Sequence, residues 1–174
     1  TGLPDKQGFG RRRMDITAEE LYADTIYQIG AIDGACKVVG VKLQHVKPHG
    51  ILYRMVSEDE KYIDTFLQAV ADYDPNLWIM IPRSTPIYDR GVEKGLKMAG
   101  EALIDLGYDD DGNWVIERVK VERSAQDVAD RAVRVAKEGK IDTVSGKLID
   151  IEAVTVCCHG DAPNAVEEVK AVVD

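Results

Sequence analysis

The fold is decided by a continuous apolar run at residues 77–81, Leu-Trp-Ile-Met-Ile. An apolar run without polar alternation is typical of a strand that is buried on both faces of a parallel sheet. Shorter strand patterns are found on both sides of this run, from Leu43 to Val46 and from Lys97 to Ile104. A further strand is expected from Val154 to Cys158, near the end of the chain.

Helices are predicted between these strands from their capping residues. Thr17 and Ser57 each begin a capping-box pattern, and Ser124 is the N-cap residue of a third helix. Gly40 and Gly139 mark the ends of the first and third helices. The alternation of strands and helices predicts an α/β fold with a parallel sheet, either open or closed into a barrel, in one domain over residues 1–174.

Shorter elements complete the pattern. Residues 84–94 are expected to be helical, with Pro86 in the first turn. Asp109–Asn113 is predicted to be a solvated turn rather than a calcium loop, because the ligand spacing of a calcium loop is absent. Residues 141–151 are expected to form a hairpin, and a last helix is expected from about Pro163 to Val173.

The composition excludes several classes of protein. The chain has 22 Lys and Arg against 31 Asp and Glu, a formal charge of −9, which argues against nucleic-acid and membrane-surface partners. No apolar stretch approaches the length of a membrane-spanning helix, and no secretory signal is found. Three cysteines, Cys36, Cys157 and Cys158, make a poor disulfide framework and favour a cytoplasmic location. The adjacent pair Cys157 and Cys158 could be a redox or metal feature, but both are interpreted as small apolar residues of a buried strand.

Polar residues gather where the predicted strands end. The segment 44–50, Gln-His-Val-Lys-Pro-His-Gly, follows one strand, and 159–161, His-Gly-Asp, follows the last. Glu101 and Asp105 lie in or just after the strand at 97–104. Because the carboxyl ends of parallel strands share one rim, we expect an active site there.

His49 and His159 are the strongest candidates for acid–base chemistry or metal ligation, although each could instead cap its loop. The adjacent Gly50 and Gly160 would let a ligand approach closely. Lys47 could bind phosphate or polarise a carbonyl, with an exposed loop lysine as the alternative.

Two acidic residues are further candidates. Asp161 could orient His159, ligate a metal or cap the last helix. Glu101 is costly to bury in an apolar strand, so it is either functional or part of a structural salt bridge. The glycine-containing loop at 7–12 carries Arg11 and Arg12, which suit anion binding.

Four segments together resemble a known family. They are Gln-Gly-Phe-Gly-Arg-Arg at 7–12 with Met14, Tyr-Gln-Ile-Gly-Ala at 27–31, the segment at 44–50 with Leu52 and Tyr53, and Cys-His-Gly-Asp-Ala-Pro-Asn-Ala at 158–165. In this order, and over essentially the whole chain, they are similar to proteins of the LamB/YcsF family, which are also called lactam utilisation proteins.

The resemblance implies an irregular, TIM-barrel-like β/α barrel similar to glycoside hydrolases and deacetylases. It also implies the activity of the A subunit of 5-oxoprolinase, which opens 5-oxo-L-proline to L-glutamate with ATP, together with subunits B and C. A divalent cation such as Mg²⁺ and a homo-oligomer are compatible with it. By resemblance, Lys47, His49, His159 and Asp161, with Glu101, would supply the cationic, acid–base and carboxylate groups.

Two departures from the family qualify these expectations. The chain starts with the loop Thr-Gly-Leu-Pro-Asp and lacks the family's first strands, so the sequence is expected to be part of a longer barrel. In addition, Leu106 stands where many members have an arginine. A metal-dependent hydrolase or deacetylase, with His49, His159 and Asp161 as candidate ligands, is therefore an alternative. A truncated, non-enzymatic binding partner is another.

Overall fold

The computed structural model describes residues 1–115 and 122–174. The chain divides into two compact units, Thr1–Ala99 and Gly100–Asp174. Each unit contains α-helices and parallel strands, as expected for the α/β class. The assignment of residues 1–174 to one domain stays a prediction. Among the described residues, no helix is both long enough and apolar enough to cross a membrane.

The first unit contains the helices α1 (Ala18–Val38), α2 (Ile51–Glu58), α3 (Glu60–Tyr73) and α4 (Pro86–Glu93). The predicted capping box is present at the start of α1, where Thr17 Oγ1 accepts from the Glu20 amide and the Glu20 carboxylate accepts from the Thr17 amide. Pro86 occupies the first turn of α4, as predicted. Helices α1, α2 and α4 all pack against α3, which supplies the centre of the core.

The second predicted capping box is wrong. Ser57 lies inside α2, where its hydroxyl donates to the Tyr53 carbonyl at 2.7 Å. Asp59 begins α3 instead, since its carboxylate accepts from the Lys61 amide at 3.1 Å. Asp59 also ends α2, so one residue serves both helices. The helix at 51–58 was missed because it is only eight residues long and directly follows the turn at Gly50.

The strands of the first unit are shorter and more exposed than predicted. β1 (His45–Val46) pairs in parallel with β2 (Trp78–Ile81), and Val46 lies opposite Ile79. Ile79 and Ile81 are fully buried, but Trp78 is 42% exposed. Alternate residues of a strand point to opposite faces, and only the face of β2 that carries the isoleucines enters the apolar core. The expectation of burial on both faces is therefore wrong for β2.

The second unit has two antiparallel hairpins among its described residues. After β3 (Lys97–Leu103), which spans the boundary between the units, β4 (Gly107–Tyr108) pairs with β5 (Trp114–Val115). The predicted turn at Asp109–Asn113 joins them, with the Asp109 carboxylate accepting from the Asn113 amide. β6 (Lys140–Asp142) and β7 (Leu148–Asp150) form the predicted hairpin.

The remaining elements of this unit carry the site described below. α5 (Ala125–Glu138) has Ser124 as its N-cap and Gly139, at φ 61°, as its C-cap, as predicted. β8 (Thr155–Cys157) pairs in parallel with β3, and α6 (Ala165–Val173) packs against α5. The prediction of a buried final strand is wrong, because Val154 is 82% exposed and the side chains of β8 are only partly covered.

Candidate functional site

The second unit holds a histidine–carboxylate pair just beyond the ends of two parallel strands. Leu103 of β3 lies opposite Cys157 of β8 in the strand register. Asp105 follows Leu103 by two residues and His159 follows Cys157 by two residues, and their side chains are hydrogen-bonded to each other. The His159 Nδ1 lies 2.8 Å and 2.9 Å from the two Asp105 carboxylate oxygens, and the His159 amide donates to Oδ2 at 3.1 Å. Asp105 therefore fixes both the ring and the backbone of His159.

The two side chains of the pair differ in their exposure to solvent. The Asp105 side chain is 1% exposed, whereas the His159 side chain is 35% exposed. The hydrogen bond to Asp105 raises the pKa of His159 to about 9, a shift that the contact with Cys157 reinforces and that burial opposes. Because a carboxylate only accepts, Nδ1 carries a proton and Nε2 is the nitrogen directed away from Asp105. At neutral pH, His159 is an imidazolium whose Nε2 can donate a proton.

A buried arginine holds the backbone on both sides of Asp105. The Arg131 guanidinium of α5 donates to the carbonyl oxygens of Ile104 and Leu106, the second at 2.7 Å. Its Nε also donates to the Asp142 carboxylate at 3.2 Å. Burial lowers the pKa of Arg131, an effect that the negative charge of Asp142 opposes. Arg131 thus fixes the segment that carries Asp105.

The two adjacent cysteines have opposite surroundings. Cys157 Sγ lies 3.9 Å from His159 Nε2. Cys158 Sγ instead lies 3.7 Å from a carboxylate oxygen of Glu168, a fully buried residue of α6. Burial, followed by the nearby charges of Asp105 and Glu168, raises the pKa of Cys158 to about 12. The two neighbouring thiols therefore contact different groups, Cys157 the His159 imidazole and Cys158 the Glu168 carboxylate.

Asp105, Cys158 and Glu168 are the residues here that could hold a metal ion, since their ligand atoms lie within 4.8 Å of one another. None of the predicted metal candidates, His49, His159 and Asp161, belongs to this group. A protonated thiol does not suit Mg²⁺, which prefers oxygen ligands. The group therefore does not fit the Mg²⁺ expected with ATP.

In the first unit, His49 lies on a loop that packs against the segment at 8–11. His49 Nε2 is 3.3 Å from the Phe9 carbonyl oxygen, and the two rings meet edge to face with their centroids 5.3 Å apart. The Ile51 amide donates to the Gly10 carbonyl at 2.9 Å. Gly50 has a φ of 60°, and a Cβ there would lie 2.5 Å from the Gly10 oxygen, so the close approach of the two loops requires glycine.

The predicted cations of the first unit have different partners. Arg12 is paired with the buried Asp5 through two nitrogens, and this pairing lowers the pKa of Asp5 to about 2. Arg11 is exposed and lies 5.9 Å from the centre of the Phe9 ring. The Lys47 ammonium lies 5.7 Å from the centre of the Tyr53 ring. Arg11 thus lies near His49, while Arg12 anchors its own loop.

The other predicted residues lie in the second unit. Glu101 is 2% exposed and stands opposite Thr155 in the strand register of β3 and β8. Asp161 and Gly160 are exposed in the loop after His159. The expectation that Asp161 caps the last helix is wrong, because Asn164 is the N-cap residue of α6. The acid that orients His159 in the structure is Asp105.

Sequence reasoning noticed Asp105 but gave it no role, and it treated Cys157 as an apolar residue. A usable signal was present for Cys157, which lies only two residues before His159 in the sequence. Asp105 could be placed only with the register of β3 and β8, which the sequence does not specify. Arg131 could not be identified, because its carbonyl partners are distant in sequence.

Comparison with known proteins agrees with this architecture. The LamB/YcsF family matches residues 1–174. The 5-oxoprolinase A subunit of Staphylococcus epidermidis is 40% identical over 174 residues, which cover 98% of this chain and 69% of that protein. A 5-oxoprolinase A subunit of Agrobacterium fabrum is 41% identical over 165 residues, which cover 94% of this chain and 65% of that protein.

A solved structure is also similar. The lactam utilization protein from Thermus thermophilus superimposes with a TM-score of 0.86 at 34% identity, over 98% of this chain and 69% of that one. This similarity confirms the predicted fold class. Together, the matched family and these relatives show that the chain belongs to the LamB/YcsF family.

Proposed function

We propose that this chain is the A subunit of an ATP-dependent 5-oxoprolinase, which hydrolyses 5-oxo-L-proline to L-glutamate. Relatives that are 38–41% identical over most of the chain carry the name of that subunit. The observation that carries the chemistry is the buried Asp105 carboxylate bonded to the partly exposed His159 ring. This pair offers a positioned acid at the ends of two parallel strands, where α/β folds place their active sites.

Opening a lactam requires a proton on the ring nitrogen as the C–N bond breaks. His159 is an imidazolium at neutral pH because Asp105 raises its pKa to about 9, and its Nε2 is the nitrogen that can donate. One water forms the new C–O bond at the carbonyl carbon as the C–N bond breaks, and the Nε2 that has donated its proton can then accept a proton from a second water that displaces the phosphate. Asp105 keeps the proton on Nδ1 in place while Nε2 first donates and then accepts a proton.

ATP is part of the proposal because a five-membered lactam is a stable amide. Transfer of phosphate to the carbonyl oxygen would turn that oxygen into a leaving group. Arg11 and Lys47, with His49 and the glycine at 50, are proposed to contact the phosphate or carboxylate groups of the ligands. We propose that Mg²⁺ is carried by the nucleotide phosphates, in line with its preference for oxygen ligands.

The relatives are named as one subunit of an enzyme, which implies a complex of several subunits, and subunits B and C are the proposed partners. A cytoplasmic location is also proposed. It is supported by the three free thiols, Cys36, Cys157 and Cys158, which suit a reducing compartment.

The test is reconstitution. The complete protein is mixed with subunits B and C, ATP, Mg²⁺ and 5-oxoproline, and glutamate is measured with each component omitted in turn. Glutamate that requires every component supports the proposal. Absence of glutamate from the full mixture, with each protein folded, contradicts it.

A metal-dependent hydrolase is the second candidate function, and the grouping of Asp105, Cys158 and Glu168 is the observation that favours it. A transition metal such as Zn²⁺ accepts thiolate and carboxylate ligands, unlike Mg²⁺. Stoichiometric metal in the purified protein, together with lactam hydrolysis that needs no ATP, would establish this function instead. A protein without bound metal whose turnover requires ATP would exclude it.

A further inference from the structure

Three side chains of the second unit form a continuous relay of carboxylate, imidazole and thiol. Asp105 binds His159 Nδ1 at 2.8 Å, and His159 Nε2 lies 3.9 Å from Cys157 Sγ. The sulfur atom is larger than oxygen, and catalytic contacts are often longer before substrate binds. The order of groups is that of an activated nucleophile, in which a base is oriented by a third residue.

We propose that Cys157 is the nucleophile of this site and forms a γ-glutamyl thioester during turnover. The inference rests on the proposed function, since it assigns a covalent step to that reaction. Cys157 is only partly buried, whereas the Asp105 side chain is closed to solvent. The strand register fixes all three residues, because Cys157 pairs with Leu103 and its carbonyl accepts from the Ile104 amide at 3.0 Å.

The chemistry balances with ATP and two molecules of water. The Cys157 thiol gives its proton to His159 Nε2, which forms a thiolate–imidazolium pair. The thiolate attacks the carbon of the O-phosphorylated lactam, the C–S bond forms, and the C–O bond breaks to release phosphate. One water then adds to the resulting cyclic thioimidate, and the C–N bond breaks as His159 Nε2 gives a proton to the ring nitrogen. A second water attacks the thioester with His159 Nε2 as the base. The C–S bond breaks, glutamate leaves, and the thiol is restored.

The adjacent cysteine is a matched internal control. Cys158 lies in the next position of the chain but points to the Glu168 carboxylate rather than to an imidazole. Its Sγ lies 3.7 Å from that carboxylate oxygen, whereas Cys157 Sγ lies 3.9 Å from the His159 ring nitrogen. Any reactivity that requires His159 should therefore belong to Cys157 alone.

The first experiment measures alkylation of the native complex by iodoacetamide at neutral pH, with each cysteine followed by peptide mass spectrometry. Cys157 is expected to react at least ~10-fold faster than Cys158, and His159→Gln is expected to slow Cys157 by about the same factor. Equal rates for the two thiols, or a Cys157 rate that does not change in His159→Gln, would overturn the inference.

The second experiment quenches the turning-over complex in acid and searches for one glutamyl group on the Cys157 peptide. It also compares kcat for Cys157→Ala and Cys36→Ala, with circular dichroism as the check that both fold. The adduct is expected on Cys157, with a loss of kcat of at least ~10³-fold in Cys157→Ala and little change in Cys36→Ala. Treatment of the quenched adduct with hydroxylamine should release the glutamyl group as its hydroxamate.

The outcomes separate the two proposals. If the wild-type complex makes glutamate while Cys157→Ala keeps its kcat, the covalent step is wrong and the proposed function stands. If the wild-type complex makes no glutamate, the proposed function fails. In that case, the alkylation rates of Cys157 and Cys158, with and without His159→Gln, still test whether His159 activates Cys157.

Discussion

His49 and His159 look alike in the sequence, since each precedes a glycine in a loop that follows a strand. Their surroundings in the structure differ. His49 is exposed and lies against a backbone carbonyl and an aromatic ring, both uncharged. His159 is half-buried and bound to a carboxylate that is closed to solvent. The difference lies in the partner, which the local sequence does not reveal.

A buried carboxylate, more than the loop around it, makes a histidine an acid at neutral pH. His159 has such a partner in Asp105, and its pKa is raised to about 9. His49 instead contacts the Phe9 carbonyl oxygen and ring. We therefore assign proton transfer to His159 and anion contact to His49, and the predictions below test this division and the packing behind it.

The largest effect is expected from His159→Gln. Loss of the acid should lower kcat for glutamate formation by about 10²–10⁴-fold in the reconstituted complex. His49→Gln is the matched variant, and it should raise the KM for ATP or 5-oxoproline by up to about 10-fold with a smaller change in kcat. A loss of kcat in His49→Gln as large as that in His159→Gln would show that proton transfer cannot be assigned to His159 alone.

Asp105→Asn should separate the role of the charge from that of the ring. Without the carboxylate, the pKa of His159 is expected to fall from about 9 toward its ordinary value of 6.5. The acid form is present below the pKa, so the variant should lose kcat as pH rises above about 6.5, while wild type keeps it until about 9. If kcat falls over the same alkaline pH range in wild type and in Asp105→Asn, Asp105 does not have this role.

The same pair should also affect stability. A raised pKa in the folded state stabilises the fold fully below the unfolded value of 6.5, and this contribution is lost as pH rises through about 9. The difference in melting temperature between wild type and His159→Gln should therefore shrink across this range. A difference that stays constant from pH 6.5 to pH 9 would mean that His159 is not charged in the folded protein.

Arg131→Met tests the support behind Asp105. The variant loses charge-assisted hydrogen bonds to the Ile104 and Leu106 carbonyls, so the free energy of unfolding should fall by about 2–4 kcal/mol. Arg134→Met is the control, because Arg134 contacts the same Asp142 carboxylate from a more exposed position and should cost under ~1 kcal/mol. Equal losses in urea unfolding would show that the Asp142 contact, rather than the carbonyl contacts, matters.

The smallest effect is expected at the His49 loop. Gly50→Ala puts a Cβ 2.5 Å from the Gly10 oxygen at a positive φ, and it should reduce the free energy of unfolding by about 1–3 kcal/mol. Gly146→Ala shares the positive φ but has open space around it, so it isolates the backbone strain. If both variants lose the same stability, the close packing of the two loops in the first unit contributes nothing.

Much of the fold could be predicted because its signals are local. The caps at Thr17 and Ser124 and the glycine at 139 fix helix ends within a few residues of sequence. The short helix α2 and the exposure of Trp78 could not be predicted, since each depends on what the rest of the chain packs against. The same holds for the site. The sequence identifies His159 as a candidate, but it does not identify its partner Asp105, which is 54 residues away in the chain.

NMR titration of the histidine ring nitrogens measures whether Asp105 holds His159 as an imidazolium at neutral pH. With assignment by His159→Gln, the His159 signal is expected to titrate with a midpoint near 9 and to keep Nδ1 protonated above it. A midpoint near the ordinary value of 6.5 would contradict the account, because His159 would then be neutral and unable to serve as the acid.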